Sequence, residues 1–397
     1  MYSKAFIPYR GYFSSPFVRW QGSLQNEHAI KLAAATAKRW LSTKELDANI
    51  FDYLFLGKTI SQPQSFYAAP WAAALMGAEL PGLHVPQACS TSTTAINLAA
   101  AGVESGLHNN AFCLMTDKCS NGPHTIWPNP KGPGGEVISE NWLMDNFGSD
   151  PYGKVPMIQT AENVVKKAGG ITKEDCDAVT LRRYEQYQEA LANDREFQKR
   201  YIFPIEYKKS KKETGIVDQD EGIAPTTKEA LAKLKPVIEG GAHSFGSQTH
   251  PADGNCGIIV TTKEKAKELS TDQNIEIQLL SYGFARAPKA HMAMAVVPAA
   301  EMALEKAGIS VKDVKTIKTH NPFAANDVYM ANEMGLDVMS FNNYGCSLIY
   351  GHPQGPTGGR AVIEMIEELV LAGGGYGLFT GCAAGDTGAA LVLKVSC

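Results

Sequence analysis

No two of the eight cysteines stand at C-x-x-C spacing, so a zinc knuckle is excluded and the reading carries no metal site. A run of about 18 apolar residues, the minimum for a membrane span, is also missing. Met1-Tyr2-Ser3-Lys4 leads into a short mixed apolar segment instead of the apolar stretch of a signal peptide. These absences lead to the expectation of a cytoplasmic protein with no membrane partner. Basic excess is lacking as well: 37 Lys and Arg face 41 Asp and Glu, a formal charge of -4. That balance cannot neutralise a phosphate backbone, so no nucleic-acid partner is expected. Low hydrophobicity is absent too, because 44% of residues are hydrophobic and only 20% charged, which excludes disorder. A chain of 397 residues then has room for two or more domains around a large core.

What is present is concentrated in three segments. Cys89 stands in Gln87-Ala88-Cys89-Ser90-Thr91-Ser92, and Cys382 in Gly381-Cys382-Ala383-Ala384-Gly385-Asp386-Thr387-Gly388. Between them lies Gly351-His352-Pro353-Gln354-Gly355-Pro356-Thr357-Gly358-Gly359-Arg360. A thiolate nucleophile needs a base to generate it, and a carbon acid needs a second proton carrier, so Cys, His and Cys together suit acyl transfer at a thioester. Val85 to Ala101 reads as a turn followed by an Ala-rich helix whose first turn Ser90, Thr91, Ser92 and Thr93 can cap. Cys89 therefore sits at a helix N-terminus, where N–H groups and the dipole favour a thiolate and supply donors to an oxyanion. Cys113, Cys119, Cys176, Cys256, Cys346 and Cys397 read as small buried residues or free thiols.

The three segments resemble the active-site blocks of thiolases, enzymes that form or cleave 3-oxoacyl-CoA by Claisen condensation or its reverse. Phe17 to Leu24, Thr160-Ala161-Glu162-Asn163-Val164 and Thr226 to Pro236 extend the similarity along the chain in the family's order. The resemblance implies an α/β protein with a duplicated five-layered α-β-α-β-α core and an inserted loop domain. Residues 1–120 plus 244–270 would form the N-terminal half, 121–243 the loop domain covering CoA, and 271–397 the C-terminal half. Alternating strand and helix signals independently suggest parallel, helix-covered sheets. Ala111 to Thr116 reads as a strand, Ala161 to Ala168 and Lys173 to Asn193 as helices, and Asn121 to Gly153 as irregular loop. Lys208 to Lys212 reads equally as a solvated turn or as a contact to CoA phosphates.

By the same resemblance Cys89 is the nucleophile and His352 its base, with a near-neutral pKa suited to both duties. Cys382 exchanges the α-proton of the second acyl-CoA. One oxyanion hole would join His352 to His320, directly or through a water; the other would use the backbone N–H groups of Cys89 and Ala384. Thr249, Met157 and Phe323 would contact substrate and CoA, which serves as co-substrate with no permanently bound cofactor. Three departures from the family pattern stand out. His320-Asn321-Pro322-Phe323 replaces a segment that usually opens Asn-Glu, and Pro156-Met157-Ile158-Gln159 replaces His-Met-Gly. The turn after Cys382 carries Ala383, Ala384 and Asp386 where relatives are nearly all glycine; Asp386 would either raise the Cys382 thiol or cap a local turn. Tyr9, Tyr12, Phe13, Phe17, Trp20, Phe66, Tyr67 and Trp71 read as core and dimer interface ahead of an acyl pocket.

Two neighbouring readings stay open at this level. One is a thiolase-like subunit that binds acyl-CoA but needs a partner chain, as with relatives that work beside a small zinc-containing protein. The other is a decarboxylating or aldol-type condensing enzyme, although such enzymes use His, Asn or Glu where this chain has Cys382. A Cys-His hydrolase would leave Cys382 without a task. The resemblance also implies a homodimer built on residues 60 to 95, or a tetramer of two such dimers.

Overall fold

Five alternating layers of helix and sheet build the computed structural model, which describes residues 1–397. The first half supplies β1 (Phe6–Ile7), β2 (Tyr12–Ser14), β3 (Val18–Arg19), α1 (Ala29–Thr43), β4 (Tyr53–Gly57), α2 (Ala68–Met76), β5 (Gly82–Val85), α3 (Thr91–Ser105) and β6 (Asn110–Lys118). An insertion follows with β7 (His124–Pro128), β8 (Val137–Asn141), α4 (Met144–Gly148), α5 (Met157–Ala168), α6 (Lys173–Arg195), β9 (Ile205–Lys208), β10 (Thr214–Val217) and α7 (Lys228–Lys233). The chain then returns through β11 (Ala252–Thr261), α8 (Lys263–Leu269), β12 (Glu276–Arg286), α9 (Val296–Ala307) and β13 (Val314–His320). It closes with α10 (Ala324–Met334), α11 (Ser347–Tyr350), α12 (Pro356–Leu371), β14 (Gly375–Ala383) and β15 (Thr387–Ser396).

The strands run β13-β14-β15-β12-β1-β11-β6-β4-β5, and β1 joins the halves by pairing Phe6 with both Thr261 and Gln278. The sheet is mixed, which corrects the expectation of parallel strands. β4 is parallel to β5 and β6, and β13 to β14, each pair connected through crossover helices. β11 runs antiparallel to β6, and β15 antiparallel to β12 and β14. The reason is local at β14 and β15, where the three residues Ala384 to Asp386 suffice only for a hairpin.

Helices α3 and α12 touch each other between the two half-sheets, α3 against β6, β11 and β15, α12 against β11, β13 and β14. Every residue of α12 from Pro356 to Leu369 is buried, the pattern of a helix enclosed on all sides. Pro356 opens it at a position where the missing N–H costs nothing. On the outside, α1 and α2 cover the first half-sheet and α9 the second. No helix is long and apolar enough to cross a membrane.

Three local expectations change. The hydroxyls of Ser90, Thr91 and Thr93 bond back to Gln87, Ala88 and Ser90 carbonyls, so none caps α3; a 3-10 turn, Ala88–Ser90, leads into it instead. Asn193 and Asp194 adopt left-handed φ of 51° and 57°, ending the regular part of α6 before the predicted Asn193. The segment read as irregular loop contains the β7-β8 hairpin and α4.

Candidate active site

Three loops, each from a different part of the sequence, converge on one sulfur. Ala88 holds φ at 46°, a strained value for an alanine, and its carbonyl accepts from Thr91 Oγ1 at 2.7 Å and Thr59 Oγ1 at 3.3 Å. This bend presents Cys89 at the head of α3. His352 follows Gly351, whose φ of 92° and proximity to His250 leave no room for a side chain: a Cβ would lie 2.8 Å from His250 Nε2. Backbone bonds from His352 N to His250 O (2.9 Å) and from Ala252 N to His352 O (3.3 Å) anchor the loop to the entry of β11. Asp117, at the end of β6, accepts from the N–H groups of Thr59, Ile60 and Gly355, fixing this loop against the exit of β4.

The result is a Cys89 Sγ to His352 Nε2 distance of 3.2 Å. Gln354 Oε1 lies 3.4 Å from the same sulfur, and Thr357 Oγ1 2.6 Å from His352 Nδ1. With Nδ1–H donating to Thr357, Nε2 presents a lone pair to the thiol, the tautomer a base requires.

Burial pushes the Cys89 thiol up to about 12, although the N–H groups of Ala384 and Cys89 itself pull the other way. Burial, then the neighbouring His320, holds His352 well below the ordinary histidine value. His320, also buried, falls to about 3. Burial thus favours a neutral thiol facing neutral imidazoles at rest. This corrects two expectations, the thiolate at the helix N-terminus and the near-neutral histidine, because loss of water outweighs the backbone donors.

Cys382, the last but one residue of β14, lies next to this pair and is 1% exposed. Its sulfur accepts from Asn326 Nδ2 at 3.1 Å. Burial and then Cys89 raise its thiol, and the carboxylate that adds to the effect belongs to Asp327, not Asp386. Asp386 instead accepts from the N–H groups of Ala290 and His291 at 2.8 and 3.0 Å, holding the segment that leads to Met292. The left-handed positions of the turn fall on Gly385 (φ 84°) and Asp386 (φ 57°), so the two alanines bear no such strain.

His320 closes β13 in register with Gly381, where a Cβ would strike the histidine Cβ at 2.7 Å. Its ring lies 4.1 Å from that of His352. Ser347 Oγ holds Nδ1 at 2.9 Å, and the buried Nε2 has no partner. Behind it, Glu162 accepts from His243 Nδ1 at 2.8 Å, and His243 Nε2 accepts from Ala325 N–H at 3.4 Å, bracing the start of α10. The insertion thereby buttresses the loop that carries Phe323.

A cavity of about 430 Å³ opens over Cys89 and His352, and Thr249, Met157, Phe323 and Ala384 all line it. Thr249 Oγ1 donates to Ser347 O at 2.5 Å and keeps its lone pairs for a ligand. Phe147, Pro156 and Ile158 of the insertion complete one wall. Lys208 to Lys212 do not line it; Lys208 ends β9 and the rest belong to the turn that leads to β10. Tyr9, Tyr12, Phe13 and Phe17 are core residues, while Trp20, Phe66 and Tyr67 are exposed. Sequence reading passed over Gln354, Thr357, Ser347 and Asn326. Of these, Thr357 and Gln354 already stood inside the His352 segment as polar residues on an otherwise glycine-rich turn.

Comparison with known proteins agrees along the chain. Residues 13–264 match the model "Thiolase, N-terminal domain" and 273–395 match "Thiolase, C-terminal domain". The acetyl-CoA acetyltransferase of Pseudomonas aeruginosa is 29% identical over 382 residues, covering 94% of this chain and 95% of the relative. The crystal structure of the Bacillus anthracis acetyl-CoA acetyltransferase superposes with a TM-score of 0.90 at 26% identity, covering 99% of both chains. Human mitochondrial 3-ketoacyl-CoA thiolase in complex with CoA gives a TM-score of 0.89 at 26% identity, covering 99% of this chain and 98% of that one. The chain belongs to the thiolase family.

Proposed function

We infer that this chain cleaves a 3-oxoacyl-CoA with CoA, or runs the reverse Claisen condensation, through an acyl group carried on Cys89. The observation that carries the reading is the 3.2 Å contact between Cys89 Sγ and His352 Nε2 in the lining of one cavity, with the buried Cys382 thiol close enough to feel Cys89. In cleavage, Cys89 sulfur attacks the C3 ketone while His352 Nε2 takes the thiol proton, so the nucleophile forms only as the new bond forms. The backbone N–H groups of Cys89 and Ala384, both directed at this sulfur, would receive the oxyanion on C3. As the bond between C2 and C3 breaks, the carbanion's thioester oxygen accepts from the newly protonated Nε2 of His352 and from His320 in its Nε2–H tautomer, in which Nδ1 accepts from Ser347 Oγ. Cys382, steadied by Asn326, gives its proton to C2, and acetyl-CoA leaves. A CoA thiol then attacks the acyl-Cys89 and carries the acyl group away.

Met157, Phe323 and Thr249 form the walls along which the acyl-pantetheine would run. We assign residues 121–243 as the loop domain over that path, supported by Phe147, Pro156 and Ile158 in the wall, between halves at 1–120 plus 244–270 and 271–397. Exposed Phe66, Tyr67 and Leu83 support a self-complementary dimer contact across residues 60 to 95.

A thiolysis assay with CoA against short, long, aromatic and dicarboxylic 3-oxoacyl-CoA esters tests the function. Acyl-CoA release that both Cys89→Ala and Cys382→Ala abolish supports it and identifies the acyl class. CoA binding with no turnover of any ester points to a subunit that needs a partner chain.

A further inference from the structure

Cysteine and two histidines at one point in space make a ligand set as well as a catalytic set. The donor atoms of Cys89, His320 and His352 all lie within 4.8 Å of one another. The Cys89 Sγ to His352 Nε2 distance is already 3.2 Å. Zn–S and Zn–N bonds of about 2.3 and 2.0 Å at a tetrahedral angle place sulfur and nitrogen about 3.5 Å apart. Small side-chain adjustments therefore bring the three onto one ion.

The outer nitrogens of the two rings reinforce this. Ser347 Oγ sits 2.9 Å from His320 Nδ1 and Thr357 Oγ1 2.6 Å from His352 Nδ1. Each hydroxyl can accept the Nδ1 proton, leaving both Nε2 lone pairs turned inward, the orienting arrangement found behind metal-bound histidines. His320 Nε2 is buried and partnerless. An asparagine, the residue usual in the family at this place, has no comparable nitrogen lone pair.

We propose that Cys89, His320 and His352 form a three-ligand site for a borderline-soft divalent cation, zinc foremost, with the fourth position open to the cavity. The cation site goes beyond the acyl-transfer reading and does not depend on it, whereas the inhibition that follows from it rests on that reading. On binding, the Cys89 S–H bond breaks, its proton passes to buffer, and the thiolate and two neutral imidazoles each donate an electron pair; nothing is oxidised. Because each ligand also belongs to the acyl-transfer apparatus, cation and substrate exclude one another. Bound zinc would hold the enzyme in a reversible, off state with its reactive thiol shielded.

The test uses full-length protein with the exposed Cys397 replaced, Cys397→Ser, stripped with a chelator and titrated with Co²⁺. The expected spectrum shows one equivalent of tetrahedral cobalt with a thiolate-to-cobalt charge-transfer band. Zinc should displace it stoichiometrically. Cys89→Ala removes the sulfur band, and His320→Asn weakens cobalt and zinc binding at least tenfold, both with native circular dichroism. A spectrum without the sulfur band in the parent protein overturns the proposal whatever the variants do. So does His320→Asn binding with unchanged affinity.

Discussion

At the residue scale, the site's logic is the trade between drying and donation. A thiol held up to about 12 and an imidazole held low do not exchange a proton at rest, so transfer waits for the electrophile. The sign for activity follows: His352 must be neutral to accept, and the rate falls only when pH drops through its lowered value. The pH profile of kcat/KM should therefore show no inflection near 6.5, the ordinary histidine value. An inflection there would mean that the imidazole is not desolvated. Thr357 has a separate role, holding the His352 tautomer across 2.6 Å. Thr357→Val should lower kcat/KM by roughly tenfold to a hundredfold, and Thr357→Ser should restore most of it, with thermal stability nearly constant in both. The segments that hold Cys89, His352 and Cys382 stand out in the sequence because each is short and of unusual composition. Ser347 and Asn326 do not, because their value comes from contacts across 27 and 56 residues of chain that only the fold creates.

At the element scale, loops are held to strand ends by backbone conformations that few side chains allow. Gly351 is the sharpest instance, with φ at 92° and His250 2.8 Å from where a Cβ would stand. Gly351→Ala should cost about 1–3 kcal/mol in a calorimetric unfolding scan and remove most thiolysis by shifting His352 off Cys89. Retained activity at wild-type Tm would show that the loop yields. The sequence announced this constraint through Gly-His-Pro but could not announce the direction of the strands. Alternation of helix and strand signals reads the same for parallel and mixed sheets, and the antiparallel pairings of β11 with β6 and of β12 with β15 join segments distant in the chain. Capping at α3 was misread for a related reason. Serines and threonines there serve the 3-10 turn that strains Ala88, and hydroxyls can bond backward as well as forward.

At the scale of the whole molecule, two buried ion pairs bind the insertion to the layered core. Arg183 of α6 meets Asp327 of α10 at 2.9 Å, and Asp220, following β10, meets Arg360 of α12 at 2.6 Å. Arg360 also lies 3.7 Å from the Tyr350 ring centre and bonds Glu364, so its charge is satisfied on every side. Asp220→Ala leaves that guanidinium with Glu364 as its remaining carboxylate partner and should cost about 1–3 kcal/mol, seen as a drop in Tm. Replacing both partners with apolar residues of similar volume should recover much of the loss. The duplicated α/β architecture was legible from motif order, whereas these pairs were not, since Asp220 and Arg360 stand 140 positions apart with nothing local to link them.

All three scales meet in one claim, that the acyl group rests on Cys89. Incubating the protein with a 3-oxoacyl-CoA in the absence of CoA, quenching in acid and mapping the peptides by mass spectrometry measures it directly. The acyl mass should appear on the peptide containing Cys89, vanish on addition of CoA, and be absent from Cys89→Ala. Release of acetyl-CoA with the acyl group on Cys382, or on no cysteine, would contradict the account.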